Sequence, residues 1–171
     1  SLIVYTMNRH QDDMRLYSVN PFTGASKMLI KESVPKFVKE EVMENSIVGK
    51  KYILMPSDRD GYMHLYLYNM NGKLIRQVEK GKYDVTEIYG MDEKTGDVYF
   101  QAAMINPHDR QVYVAHKNGK VERLTDAEGS NAANFSGDFR YFVNTWSSYS
   151  HPQVFTVRSN KGKVIKMLED N

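Results

Sequence analysis

The sequence contains no cysteine, which excludes disulfides and thiolate metal sites. It has no apolar run near the ~20 residues that a membrane-spanning helix requires, so no spanning segment is expected. Neither sign of charge dominates: 23 Lys and Arg stand against 21 Asp and Glu, for a formal net charge of +2. Basic residues run no longer than pairs such as Lys50-Lys51. A dedicated nucleic-acid binder needs a concentrated basic face, and no nucleic-acid partner is expected. The G-x-S-x-G elbow of a hydrolase nucleophile is missing. The five histidines, His10, His64, His108, His116 and His151, are scattered. No pair has the one-face spacing of a metal site, so neither a metal nor a cofactor is expected.

What the sequence does have is a motif that recurs four times. An aliphatic-aromatic strand runs into a tight glycine turn and a second strand returns. The copies are Leu16-Tyr17-Ser18-Val19 before Gly24, Leu65-Tyr66-Leu67-Tyr68 before Gly72, Val112-Tyr113-Val114-Ala115 before Gly119, and Val154-Phe155-Thr156-Val157 before Gly162. The turn glycines lie 48, 47 and 43 positions apart. An all-strand period of roughly 40–50 residues is the signature of propeller blades. The 171 residues suffice for one domain with a real core. They are read as part of one β-propeller domain, with blades at about 1–32, 36–80, 84–125 and 130–168.

Within this frame the third repeat predicts strands over Val85–Gly90, Val98–Ala103, Gln111–Ala115 and Lys120–Leu124. Gly96 is expected at positive φ, and Asn118-Gly119 is expected to form a two-residue hairpin. The second repeat predicts strands near Phe37–Val42, Lys51–Met55, His64–Tyr68 and Lys73–Val78. The fourth predicts Asn131–Phe135, Arg140–Thr145, Gln153–Val157 and Lys163–Leu168. The first supplies only Leu2–Met7, Arg15–Val19 and Ser26–Ile30, so its innermost strand is expected to be missing. That points to a fragment cut inside a blade, with any targeting signal upstream. Its end blades should expose apolar faces and self-associate through them. Apart from one possible turn over Lys39–Asn45, no helix is expected.

Most polar clusters have a structural explanation. Ser147, Ser148 and Ser150 near His151 form a Ser/Tyr-rich loop before Pro152, and a nucleophile needs the full geometry of a triad. Gly24-Ala25-Ser26 and Gly129-Ser130 lack the second glycine of an elbow. No catalytic residue is expected. Asp12-Asp13 is read as solvated loop charge. Ser57-Asp58-Arg59-Asp60-Gly61-Tyr62 is read as a polar turn between two strong strands, with calcium binding as the lesser alternative. His64 and His116 lie in or beside strands and are expected to be packed or half-exposed.

The stretch Ser57-Asp58-Arg59-Asp60-Gly61-Tyr62-Met63-His64-Leu65-Tyr66-Leu67-Tyr68 resembles the S-x-R-D-G-[WY]-x-H-L-Y-x-Y segment of the dipeptidyl peptidase IV family of serine peptidases. Gly81–Thr86 with Gly96–Phe100 resembles the following blade of that family. Asn8-Arg9 with Gln11 resembles a strand end of the preceding blade, and Val164–Asn171 resembles the segment that leaves the propeller. The resemblance implies the C-terminal half of an eight-bladed N-terminal propeller. It also implies an α/β-hydrolase domain outside this chain that carries the Ser/Asp/His triad. The parent would release X-Pro and X-Ala dipeptides from peptide N-termini, act as a homodimer, and work in the periplasm or outside the cell. This segment would wall the chamber and hold peptide substrates, with no activity of its own.

In the family, an aromatic followed by Arg, near the start of the blade before the Asp-Gly-Tyr turn, reaches toward the substrate pocket. In Lys36-Phe37-Val38, Phe37 occupies about that place, with Val38 where the family has Arg. Phe37 is the one candidate substrate-binding residue, although its apolar character alone favours core packing. The family's amine-binding glutamate pair lies upstream of the segment that Asn8-Arg9 resembles. Glu40-Glu41 lies downstream and is read as charge on a blade loop or edge. A protein-interaction propeller without peptidase activity is the alternative. A carbohydrate-active propeller would want recurring carboxylates on the innermost strands, and too few recur.

Overall fold

A computed structural model describes residues 1–34 and 37–170; Lys36, which opens the second predicted blade and precedes Phe37, and the terminal Asn171 lie outside the described residues. The fold is all-β, a partial β-propeller of four antiparallel sheets taken in sequence order. The first holds β1 (Leu2–Met7), β2 (Asp13–Val19) and β3 (Ser26–Ser33). The second holds β4 (Ile47–Val48), β5 (Tyr52–Ser57), β6 (His64–Asn69) and β7 (Leu74–Gln77). The third holds β8 (Val85–Asp92), β9 (Asp97–Ala102), β10 (Gln111–Ala115) and β11 (Val121–Arg123). The fourth holds β12 (Ser130–Phe135), β13 (Tyr141–Ser148), β14 (His151–Ser159) and β15 (Val164–Asp170). As expected, the first sheet has three strands where the others have four.

Two local expectations need correcting. Phe37–Val42 is not a strand: its last two residues open a four-residue helix, α1 (Glu41–Glu44), and the short β4 opens the sheet instead. Val38 and Val42 are both buried, but Glu40, which would share their face in a strand, is exposed. The hairpin at Asn118-Gly119 has three loop residues, not two. Gly119 N–H donates to the His116 carbonyl at 2.8 Å and His116 N–H to the Lys120 carbonyl at 2.8 Å. This is a tight turn closed by a left-handed residue. The same pair of bonds closes Asn69–Lys73 and Ser159–Lys163. Gly96 takes φ 79, as expected.

The chain divides into two compact units. In the first, Ser1–Gly61 with Leu65–Gln77, the core gathers Met14, Leu16 and Ile30 from the first sheet and Ile53, Leu54, Met55 and Leu65 from the second. In the second, Tyr62–His64 with Val78–Asn171, Tyr99, Val112, Val114, Leu124 and Phe142 form a cluster joined by Tyr89, Phe135 and Phe139. Its rings pack closely, with centroids of Tyr99 and Phe135 at 4.6 Å and of Phe135 and Phe142 at 4.8 Å. Such pairs add about 0.5–1.5 kcal/mol each beyond area burial. Leu2 and Val4 on β1, and Val164, Ile165, Met167 and Leu168 on β15, remain exposed.

Gly72 shows why the repeat keeps its glycine. It sits at φ 80, and a Cβ there would fall 1.8 Å from the carbonyl oxygen of Leu29. Gly24 has similar φ (72) but open space around it. Gly24→Ala should therefore cost only the left-handed strain, about 1–2 kcal/mol. Gly72→Ala should cost about twice that or more, because overlap with a neighbouring backbone adds to the strain. Urea denaturation of both variants checks this; equal losses would show that Gly72 is retained for its φ alone.

Candidate functional site

The site begins with a turn. Asn8 Oδ1 accepts N–H bonds from Asp12 (3.1 Å) and Asp13 (3.2 Å), and the Asn8 backbone N–H donates to the Asp13 carbonyl at 3.1 Å. These bonds hold Gln11 at φ 57, a conformation few non-glycine residues adopt. The Gln11 carbonyl then accepts the N–H of Val38. This bond docks the lead-in to the second sheet against the β1–β2 turn.

Val38 and Val42, each about 1% exposed, anchor that segment. Burying each is worth roughly 1.5–3 kcal/mol. Phe37, one residue earlier, is 52% exposed. The core reading of Phe37 is thus incorrect, and Val38 takes the core position. Glu40 already has helical dihedrals and its carbonyl accepts N–H bonds from Met43 and Glu44. Its side chain accepts a long bond from Gln11 Nε2, at 3.4 Å. Lys39 Nζ faces Asp58 at 3.7 Å.

These residues line a groove of about 520 Å³ formed by Gln11, Phe37, Val38, Lys39, Glu40, Glu41 and Glu44. An aromatic face lies beside three carboxylates, and the one lysine is paired elsewhere. Such a surface takes a cation with an apolar flank, through charge and through the ring face. Among its lining residues there is no nucleophile with an adjacent base. The sequence separated Glu40-Glu41 from Phe37, whereas the short helix brings them to one groove.

The polar turn after β5 is structural, and more tightly built than its sequence suggests. Arg59 pairs with buried Glu32, donates to Ser57 Oγ (2.9 Å) and Tyr68 OH (2.7 Å), and lies 4.1 Å from the centroid of the Tyr66 ring. Ser57 Oγ also donates to Glu32. Burial, and then the Asp60 carboxylate, pushes the Tyr66 phenol up to about 12. Sequence reasoning placed Arg59 in a polar turn but passed over its partner Glu32. The available signal was Glu32, the one acid of its strand, two positions from core Ile30 and so on the same face.

His64 is buried, with Nδ1 2.7 Å from Glu79 Oε2 and Nε2 3.1 Å from the Gly81 carbonyl. Tyr83 meets its ring edge-on at 5.3 Å, and burial followed by Glu79 pushes the Tyr83 phenol upward. His116 is part-exposed between Asp97 (3.0 Å) and Glu122 (3.6 Å). His151 Nδ1 contacts Ser148 Oγ at 3.2 Å and Ser150 Oγ at 2.9 Å. That cluster is exposed, and no carboxylate bonds to the ring among the described residues, so nothing orients it as a base. No group of three or more His, Asp or Glu side chains is placed to hold a metal among the described residues.

Successive antiparallel sheets, one of three strands and three of four, each built from neighbouring strands, define a segment of a β-propeller. The family model for the dipeptidyl peptidase IV (DPP IV) N-terminal region matches residues 1–153, and the chain belongs to that family. The crystal structure of Porphyromonas gingivalis dipeptidyl peptidase 4 is similar over 99% of this chain and 24% of its own, with a TM-score of 0.95 and 34% sequence identity. Dipeptidyl peptidase 4 of Arthroderma otae is 27% identical over 100% of this chain and 23% of its own length. That of Trichophyton rubrum is 25% identical over the same shares. The chain spans about a quarter of the length of the relatives it matches.

The buried His64–Glu79 pair generates a stability prediction. Removing one partner takes a short buried hydrogen bond from the other, so His64→Leu and Glu79→Leu should each cost about 3–5 kcal/mol. The double Leu variant should lose much less than the sum. A double-mutant cycle from urea denaturation checks this, and purely additive losses would contradict it.

Proposed function

We propose that this chain is the non-catalytic part of a dipeptidyl peptidase's reaction chamber, which admits and helps hold short peptides. The parent releases X-Pro and X-Ala dipeptides by serine-type hydrolysis in a separate α/β-hydrolase domain, and this segment has no turnover alone. The observation that carries the reading is the family match over residues 1–153, together with 34% identity to a dipeptidyl peptidase 4 across nearly the whole chain. The exposed Phe37 beside Glu40, Glu41 and Glu44 adds a local reason. A peptide entering by its N-terminus carries an ammonium and an apolar side chain, and the groove offers carboxylates and an aromatic face to that pair. The family resemblance also supports a periplasmic or extracellular compartment and a homodimeric parent.

Hydrolysis of Gly-Pro-p-nitroanilide and of longer proline peptides by the full-length protein tests the reading. Phe37→Ala should lower kcat/KM for the longer peptides about tenfold, as expected for losing one aromatic contact of about 1.4 kcal/mol. Circular dichroism should stay unchanged, because the ring is half exposed. Unchanged kcat/KM removes Phe37 from the binding surface. No dipeptide release at all overturns the peptidase reading and leaves the interaction platform.

A further inference from the structure

Charge is nearly balanced over the whole chain, but not locally. At the end of the fourth sheet, the β14–β15 hairpin meets the segment that follows β11 and closes a concavity of about 340 Å³. Its walls contain Arg123, Arg158, Lys161 and Lys163, with Asp126 as the one acid. The hairpin is seated firmly. A Cβ on Gly162 would fall 2.4 Å from the Leu124 carbonyl oxygen, so the turn lies directly on that backbone.

Arg158 lies at the centre, with its side chain only 11% exposed. It donates to the Gly162 carbonyl (3.2 Å), the Leu124 carbonyl (3.4 Å) and Thr156 Oγ1 (3.3 Å). These bonds fix the guanidinium, and all three acceptors are neutral oxygens that supply no counter-charge. Its ion-pair partner, Asp126, is 3.6 Å away and 81% exposed, which is a weak pairing. Arg123, Lys161 and Lys163 form no ion pair among the described residues. A nearly buried cation without a close counter-charge is unfavourable unless an anion joins it.

The turn itself does not require Arg158 or Lys161, whereas Lys163 matches Lys73 and Lys120 of the other two hairpins. The hairpins Asn69–Lys73 and His116–Lys120 close with the same two backbone bonds as Ser159–Lys163. Where the fourth sheet has Arg158, they carry Tyr68 and Ala115; where it has Lys161, they carry Asn71 and Asn118. The backbone fold of the hairpin is preserved without either basic residue. Arg158 and Lys161 are therefore additions to a common turn.

We propose that this concavity binds a tetrahedral oxyanion, a phosphate or sulfate group. The fixed Arg158 guanidinium would supply the directional contact, and Lys161 and Lys163 would close over the anion as mobile charges. Guanidinium geometry suits two oxygens of such a group. The site is independent of the Phe37 groove and of any peptidase activity.

Isothermal titration calorimetry of the full-length protein at constant ionic strength tests it, with inorganic phosphate and a sulfated heparin disaccharide as probes. Saturable binding is expected, weakened about tenfold or more in the Lys161→Glu/Lys163→Glu variant, whose exposed side chains leave the fold intact, and in Arg158→Met. Tighter binding of the disaccharide assigns the site to glycan-borne sulfate, and equal binding assigns it to the small anion. No saturable heat with either probe, or binding unchanged in the lysine double variant, overturns the proposal.

Discussion

Several strands of this chain are buried along both faces, and that constraint governs the rest of the structure. All six residues of β5 are buried, as are all five of β10. A strand so enclosed has no solvent to satisfy the polar groups it carries, and each unpaired one costs about 1–3 kcal/mol. The chain meets this with compact polar networks. In the first unit, Ser57 at the end of β5 joins Glu32, Arg59 and Tyr68. In the second, Gln111 at the start of β10 accepts from Thr125 (2.7 Å) and Asn131 (3.2 Å), and Asn144 donates to Asn131 at 3.0 Å. Tyr113 OH and Asn144 Oδ1 are the buried side-chain atoms left without a partner among the described residues.

The architecture was legible from sequence because two signals coincide. The turn glycines recur at near-constant spacing, and the strands before them alternate or run apolar as β-structure does. Both depend on contacts within a few residues. The hairpin loop length was misread because Asn-Gly suits a two-residue turn, whereas the same Gly also serves a three-residue loop. The entry to the second sheet was misread for a related reason. Val38 and Val42 are apolar in a short window that fits strand or helix, and only docking against the Gln11 carbonyl separates the two.

The groove was less legible than the fold. Phe37 was found through family resemblance; hydrophobicity alone assigned it to the core, one position away from the valine that occupies it. The cationic concavity left little trace in the sequence, because Arg158 and Leu124 come together only when a hairpin lies on the backbone of another sheet. The two candidate binding places use different parts of the propeller scheme. One grows from the β1–β2 turn and the lead-in to β4, the other from an outer hairpin and the segment after β11.

Anchoring by Val38 and Val42 leaves Phe37 outside the packed interior. The side chain at that position can therefore change while the scaffold beneath stays unaltered. Under the proposed peptide-holding role, the residue that meets the guest and the residues that secure the blade are neighbours with separate duties, so a change in the first leaves the second intact.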